Sequence, residues 1–234
     1  MIEIIPAIMP RSFSEVEEKM SLVQEDVSFV QIDVMDATIT KDATWPYLLP
    51  DADIDFQNII TEKTSMPCWD SLSFEADLMV KNPERITQDW LKAGAGRIIF
   101  HIESEGNVKE FVQSFRLEGI TKDSPLYVEL GLAITADADM SLVESIIPHI
   151  DFVQCMGIKT IGVQGSPFDE RILQTISTLK NKFPSLVISV DGGVTLETAP
   201  RLIQAGAKRL VSGSTIYRSE DVKEIIEKLK HINK

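Results

Sequence analysis

The chain has 234 residues, of which 44% are hydrophobic and 25% charged, and its net charge at pH 7 is −13. This balance is typical of a globular protein with a full core, and no run reaches the roughly 18 uninterrupted apolar residues of a membrane span. Because an acidic chain repels the phosphates of nucleic acids and of anionic membranes, we expect neither as a partner.

Short apolar runs alternate with longer amphipathic segments along the chain. Ser12 predicts the start of the first helix, since its side chain can cap the helix together with Glu15 three residues on. The apolar runs predict strands over residues 2–8, 28–34, 73–80, 97–101, 126–132, 150–156, 186–190 and 208–211. The amphipathic segments predict helices after Ser12 and over residues 82–91, 108–116, 141–147, 169–182, 196–205 and 219–231.

Eight strands in strict alternation with helices predict a parallel sheet, and eight such units close into a (β/α)₈ barrel. We therefore predict an α/β fold with a single barrel domain over residues 1–234, and a doubly wound open sheet is the alternative. Residues 37–66 depart from the alternation, because they contain Trp45-Pro46 and an acidic stretch. We expect a long loop with a short helix there, on the face that carries the chemistry.

The two cysteines, Cys68 and Cys155, share no spacing typical of a metal or redox site. Residues 1–8 lack the basic start and the long apolar run of a signal peptide. We therefore expect free thiols in a reducing compartment and a cytoplasmic protein.

Three aspartates, Asp33, Asp77 and Asp191, lie in or just after predicted strands. In such barrels the chemistry lies at the C-terminal ends of the strands, so the three carboxylates should converge there. Their mutual repulsion would raise at least one pKa, and it would be relieved by a bound cation or by protons kept for acid–base catalysis. The alternative is that some of them face solvent or cap helices.

Two glycine turns follow the last two predicted strands, Gly192-Gly193 and Gly213-Ser214. Glycine lets the backbone approach an anion closely, and the helix that follows each turn adds a favourable dipole. This is the usual phosphate site of the architecture, so the turns predict a phosphorylated ligand. Ordinary tight turns are the competing interpretation.

The segments VQIDVMD, DLMVKNPERI, FHIE, VDGGV and GSTIY, in this order, resemble the ribulose-phosphate 3-epimerase family over essentially the whole chain. The resemblance implies a barrel of the ribulose-phosphate-binding type that epimerises a ketose phosphate at the carbon alpha to the ketone. It implies two acid–base aspartates, at Asp33 and Asp191, and a divalent metal held by them and by two histidines. It also places Met35 and Met156 around the substrate.

The chain departs from the family pattern at both metal-binding histidines, which are here Gln31 and Asp77. The remaining set, Gln31 with Asp33, Asp77 and Asp191, offers only oxygen ligands, which favours Mg²⁺ or Mn²⁺ over zinc or iron. A family serine is here Ala7. The loop after strand 6 reads MGIKTIGVQGSPF, in which Gly162 and Gly165 are candidate phosphate-clamp glycines.

The sequence leaves three functions open. The first is a ribulose-phosphate 3-epimerase-like isomerase that acts on a phosphorylated ketose. The second is a sugar-phosphate lyase or decarboxylase, although related barrels of that kind usually carry a lysine among the strand 2 carboxylates and this strand has none. The third is a non-catalytic phosphosugar binder. The family resemblance also implies a homo-oligomer.

Overall fold

A computed structural model describes residues 2–49, 51–105, 108–116, 127–163 and 165–232. Its eight strands form a closed parallel barrel in chain order, in which the last strand pairs with the first. This confirms the predicted barrel and rules out the open sheet. The strands are β1 Glu3–Ile8, β2 Phe29–Met35, β3 Ser73–Met79, β4 Arg97–His101, β5 Glu129–Ile134, β6 Phe152–Met156, β7 Val187–Asp191 and β8 Arg209–Ser212.

Helices lie between the strands and after the last one. Ser12 caps the first helix as predicted, because its hydroxyl accepts from the Glu15 N–H at 3.2 Å. The short helix expected within residues 37–66 is α2. The helices are α1 Phe13–Val23, α2 Ile54–Ile60, α3 Thr87–Lys92, α4 Val108–Arg116, α5 Met140–Ile146, α6 Arg171–Lys182, α7 Ala199–Ala205, α8 Ser214–Tyr217 and α9 Val222–Lys230.

Several predicted boundaries are wrong, and the helix predicted over residues 82–91 begins only at Thr87, after a 3₁₀ turn at Pro83–Arg85. Helix α7 begins at Ala199 and not at residue 196, because Thr195 and Thr198 bind nearby backbone N–H groups and hold a turn there. The predicted last helix splits into α8 and α9, and Asp221 caps the second of these. Strand β5 continues to Ile134, and its predicted start at residue 126 lies outside the described residues.

The apolar core lies mainly between the outside of the barrel and the helices. One large cluster joins outward strand residues to the helices, and its aromatic part includes Trp45, Phe56 and Trp90. The inside of the barrel is more polar than the layers of branched apolar residues usual in this fold. Buried polar side chains from different strands bind one another there, including Gln31 with Asp77 and Ser189 with Gln154.

A charged network closes the N-terminal end of the barrel, opposite the expected site. Arg97 contacts Glu75 at 3.1 Å and Glu3 at 2.9 Å. Arg209 contacts Glu3 at 2.9 Å and Glu129 at 2.8 Å. Three carboxylates therefore face two guanidinium groups, and the network joins strands β1, β3, β4, β5 and β8.

Candidate active site

A cavity of about 210 Å³ opens at the C-terminal ends of the strands. Its walls come from the loops after several strands, above all those after β6, β7 and β8. This single space is lined by two predicted acid–base residues, five predicted phosphate-site glycines, one serine and one methionine. They are Asp33, Asp191, Gly162, Gly165, Gly192, Gly193, Gly213, Ser214 and Met156.

The side-chain amide of Gln31 lies among the three aspartates. Its Nε2 donates to Asp33 Oδ1 at 2.7 Å and to Asp191 Oδ2 at 3.0 Å. The contact from the same nitrogen to Asp77 Oδ2 is longer, at 3.4 Å. One oxygen from each carboxylate lies within 4.8 Å of the others. Strands β2, β3 and β7 thus bring together the four residues that the sequence suggested for a metal.

Asp77 lies beneath the cavity and is held from two sides. His101 Nε2 lies 2.8 Å from Asp77 Oδ1, and Gln154 Nε2 donates to Asp77 Oδ2 at 3.0 Å. Burial alone would lower the pKa of His101, but the Asp77 and Glu103 carboxylates outweigh it and raise that pKa to about 10. The two carboxylates therefore favour the protonated form of His101, whose positive charge would balance one of the three aspartates.

Burial also raises the pKa values of the two aspartates that line the cavity. Burial and the neighbouring charges of Asp191 and Asp77 raise the pKa of Asp33 well above its ordinary value. Burial and Asp77 raise the pKa of Asp191 to about 7. The sequence led us to expect a raised pKa among converging carboxylates, and protons can consequently reside on this pair near neutral pH.

The backbone at the end of β7 folds tightly against the loop after β6. Gly192 and Gly193 have positive φ angles of 89° and 67°. A Cβ on Gly193 would lie 2.8 Å from the Phe168 ring, so a larger residue does not fit there. Beside this turn, Ser212 and Thr215 both donate to the Val194 carbonyl, at 3.0 Å and 2.8 Å. These bonds join the turn after β7 to the turn after β8, and the two turns form one end of the cavity.

The loop after β6 crosses toward the loop after β2. Gly162 has a φ of 72°, and a Cβ there would lie 2.7 Å from the Met35 sulfur and 2.6 Å from a Thr40 methyl group. Met35 therefore lies behind this loop and does not line the cavity, although it packs in one apolar cluster with Met156 and Met79. Gly165 also lines the cavity, and it has open space around its α carbon.

Several residues of the site escaped the sequence analysis. Thr44 accepts from the Met35 N–H at 2.9 Å and donates to the Asp33 carbonyl at 2.6 Å, so it holds the end of β2 in place. Gln154 precedes Met156 by two positions, and its polarity in an apolar strand was a usable signal for the inner face of the barrel. Other cavity residues have no distinctive sequence context, such as Met9, Ser166, Thr195 and Thr215.

Residues 3–217 match the family model described as the Ribulose-phosphate 3 epimerase family. The chain belongs to this family. It is 27% identical to the ribulose-phosphate 3-epimerase of Bacillus subtilis over 236 residues, covering 98% of this chain and 99% of that protein. The Eremothecium gossypii ribulose-phosphate 3-epimerase is 26% identical over 229 residues, covering 97% of this chain and 91% of that protein. The predicted membership in an isomerase family is thus confirmed.

Solved structures with the same fold include other sugar-phosphate enzymes. A 3-hexulose-6-phosphate synthase superposes with a TM-score of 0.68 at 18% identity, covering 99% of both chains. A 3-keto-L-gulonate-6-phosphate decarboxylase from Vibrio cholerae has a TM-score of 0.68 at 12% identity, covering 99% of this chain and 96% of that one. At such identities these structures support the barrel fold and not the activity. Among the helices of the described residues, none has the length and apolar character needed to cross a bilayer.

Proposed function

We propose that this member of the ribulose-phosphate 3-epimerase family is a two-base epimerase of a ketose phosphate, with Asp33 and Asp191 as its bases. The observation that carries the proposal is that both carboxyl groups line one cavity whose other end is built from the glycine turns after β7 and β8. A substrate held by its phosphate at those turns would place its carbonyl region near both aspartates.

The reaction requires the two aspartates in opposite protonation states. An ionised carboxylate takes the proton from the carbon alpha to the ketone, and the electron pair of that C–H bond moves into an enediolate. The other carboxyl group then gives its proton to the opposite face of the same carbon. Gln31 engages only Oδ1 of Asp33 and Oδ2 of Asp191. We propose that the second oxygen of each carboxyl group, which Gln31 does not engage, exchanges the proton with the substrate.

A divalent cation, which the family resemblance implies, fits the donor set. When all three aspartates are ionised and His101 is protonated, the buried cluster carries two net negative charges, which one divalent cation would neutralise. We propose that Asp33, Asp77 and Asp191, with the Gln31 carbonyl oxygen, hold Mg²⁺ or Mn²⁺, since hard cations prefer oxygen ligands. When bound, such a cation supplies positive charge to the enediolate oxygens.

The proposed partner is a phosphorylated ketose, bound with its phosphate against Gly192, Gly193, Gly213 and Ser214. Gly162 and Gly165 would contribute the loop after β6 to the same end of the cavity. The cytoplasmic location, the homo-oligomer and the exclusion of nucleic acids and membranes remain predictions. They rest on the composition and on the family resemblance.

The direct test is isotope exchange. Ribulose 5-phosphate incubated with the protein in D₂O should gain deuterium at the carbon next to the ketone and yield the epimer. Asp33→Asn and Asp191→Asn should each lower the rate of epimer formation by at least about a hundredfold, because each removes the acid–base group on one face. Deuterium incorporation and epimer formation are both followed by proton NMR.

Asp36→Asn is the matched control, because Asp36 follows β2 but binds Thr38 and lies outside the cavity lining. This variant should keep near wild-type exchange. If the wild type binds ribulose 5-phosphate without exchanging its proton, the protein is instead a phosphosugar binder. If it cleaves or decarboxylates a sugar phosphate, the lyase alternative holds.

A further inference from the structure

The two ends of the Gln31 amide have very different surroundings. The side chain is fully buried, and its two N–H protons are shared by oxygens of three aspartates. Its carbonyl oxygen, Oε1, is buried as well and has no hydrogen-bond partner among the described residues. A buried acceptor without a donor is costly, so the amide orientation must be decided by the carboxylate side.

Electrostatics explains that orientation. In the absence of a cation, the N–H end points into the group of aspartates and donates to all three, whereas Oε1 there would be a further acceptor beside every carboxyl group that is ionised. Nε2 lies 2.7 Å, 3.0 Å and 3.4 Å from the three carboxylate oxygens. Ligand oxygens that share an octahedral Mg²⁺ at about 2.1 Å lie about 3 Å apart. A half-turn of the amide would therefore place Oε1 at the spacing of a neighbouring ligand.

We propose that Gln31 is a reversible stand-in for the cation: its NH₂ group bridges the aspartates when the cation is absent, and the amide turns its carbonyl inward when the cation binds. This inference rests on the cation site of the proposed function. It goes beyond that site by making Gln31 the residue that keeps the cation-free cluster together.

Gln154 provides an internal control. It is also fully buried and also donates to Asp77 Oδ2, at 3.0 Å. Its carbonyl oxygen, however, accepts from the Ser189 hydroxyl at 3.4 Å. Both ends of this amide are engaged, so a half-turn would break both contacts. Gln154 should consequently keep its orientation whether or not a cation is bound.

The test is NMR of the side-chain NH₂ groups in the intact protein, titrated with Mg²⁺ after treatment with EDTA. The Gln31 pair is assigned by its loss in Gln31→Glu, and the Gln154 pair by its loss in Gln154→Glu. Without Mg²⁺ the Gln31 protons should have the downfield shifts of donors to carboxylates. With Mg²⁺ they should move to the shifts of unbonded amides, while the Gln154 pair keeps its hydrogen-bonded shifts.

Thermal denaturation measured in parallel shows whether Mg²⁺ binds. Binding with unchanged Gln31 signals would overturn the proposal, and so would an absence of Mg²⁺ and Mn²⁺ binding. The isotope-exchange assay on the same sample distinguishes these two negative results from a failure of the proposed epimerase function. Exchange that persists after either negative result leaves the two-base epimerase standing and removes only the role of Gln31 as a stand-in.

Gln31→Glu gives a second measurement. This variant presents only oxygens and adds a negative charge, so its Mn²⁺ dissociation constant should fall about tenfold. Its cation-free form should melt at a lower temperature than the cation-free wild type, because the bridging donor is lost. Equal melting temperatures would contradict the stand-in role. If the variant folds only with Mn²⁺, the donor is shown to be needed in the cation-free state.

Discussion

Glu75 lies inside the charged network at the N-terminal end of the barrel, where three carboxylates share two guanidinium groups. It is fully buried, and this burial outweighs the attraction of Arg97 and raises its pKa from 4.5 to about 7. A folded-state pKa above the unfolded value means that the folded protein binds the proton more tightly. Stability contributed by this proton is present below pH 4.5 and is lost as the pH rises toward 7.

Glu75→Gln should therefore stabilise the protein at high pH, because the amide resembles the protonated acid. We expect the free energy of unfolding to rise by on the order of 1–3 kcal/mol at pH 8 and to change little at pH 4.5. Urea denaturation at both pH values measures this. Glu129→Gln is the control, since Glu129 is part-exposed and bound to Arg209 at 2.8 Å. If Glu75→Gln destabilises the protein at pH 8 as a lost ion pair would, Arg97 stabilises the ionised carboxylate more than burial destabilises it, and the pKa of Glu75 is not raised.

At the scale of elements, the ends of β6 and β7 lie so close together that no side chain fits at Gly157, the residue that follows β6. The Gly157 N–H donates to the Asp191 carbonyl at 2.7 Å, and a Cβ on Gly157 would overlap the Gly192 carbonyl oxygen. The position of Asp191 and of the turn after β7 thus depends on the absence of a side chain on the neighbouring strand. The loop after β6 supplies one wall of the cavity and also sets this distance.

Gly157→Ala should displace the turn after β7 and lower kcat/KM for epimerisation by at least about tenfold, since small misplacements of reacting groups are costly. The melting temperature should fall by only a few degrees, because the overlap is local. Gly94→Ala is the matched control, because Gly94 lies outside the cavity lining and has a φ of 97° with no heavy atom nearer than 4.0 Å to an added Cβ. It should share the modest loss of stability without the loss of activity. Wild-type activity in Gly157→Ala would contradict this role of the contact.

At the scale of the whole molecule, a protein with a net charge of −13 must capture an anionic sugar phosphate. Its overall negative electrostatic field repels the substrate, and in the proposed site binding would depend on short-range backbone donors and on a buried cation. Salt screens the long-range field over a Debye length of about 8 Å at physiological ionic strength, but it affects buried contacts much less.

We expect kcat/KM for ribulose 5-phosphate to rise, by up to about twofold, between 20 and 150 mM salt of a weakly binding anion such as acetate. In an enzyme that attracts its substrate with exposed lysines or arginines, kcat/KM would instead fall as the salt concentration rises. Steady-state kinetics at constant pH and constant Mg²⁺ measure the effect. A marked fall in kcat/KM with salt would show that a local positive patch governs capture.

The alternation of apolar runs with amphipathic segments was sufficient to predict the eight-stranded barrel, because each element follows from local periodicity. The family and the aspartates at the strand ends were likewise readable from short motifs such as VQIDVMD and VDGGV. Helix α7 was misplaced because Thr195 and Thr198 compete for backbone N–H groups that a helix would otherwise use.

Only the tertiary structure decided how the departures from the family pattern fit together. Gln31 and Asp77 are 46 positions apart, and Gln154 lies 77 positions beyond Asp77, yet all three side chains meet inside the barrel. Periodicity assigns each of them to a strand, but it does not give the rotation that aims Nε2 of Gln31 at three carboxylates. The sequence by itself determined the barrel and its acidic site, because those depend on local pattern and strand order. The hydrogen bonds from Gln31 to Asp191 and from Gln154 to Asp77 depend on closure of the barrel, which brings strands that are not neighbours in the sheet within hydrogen-bonding distance.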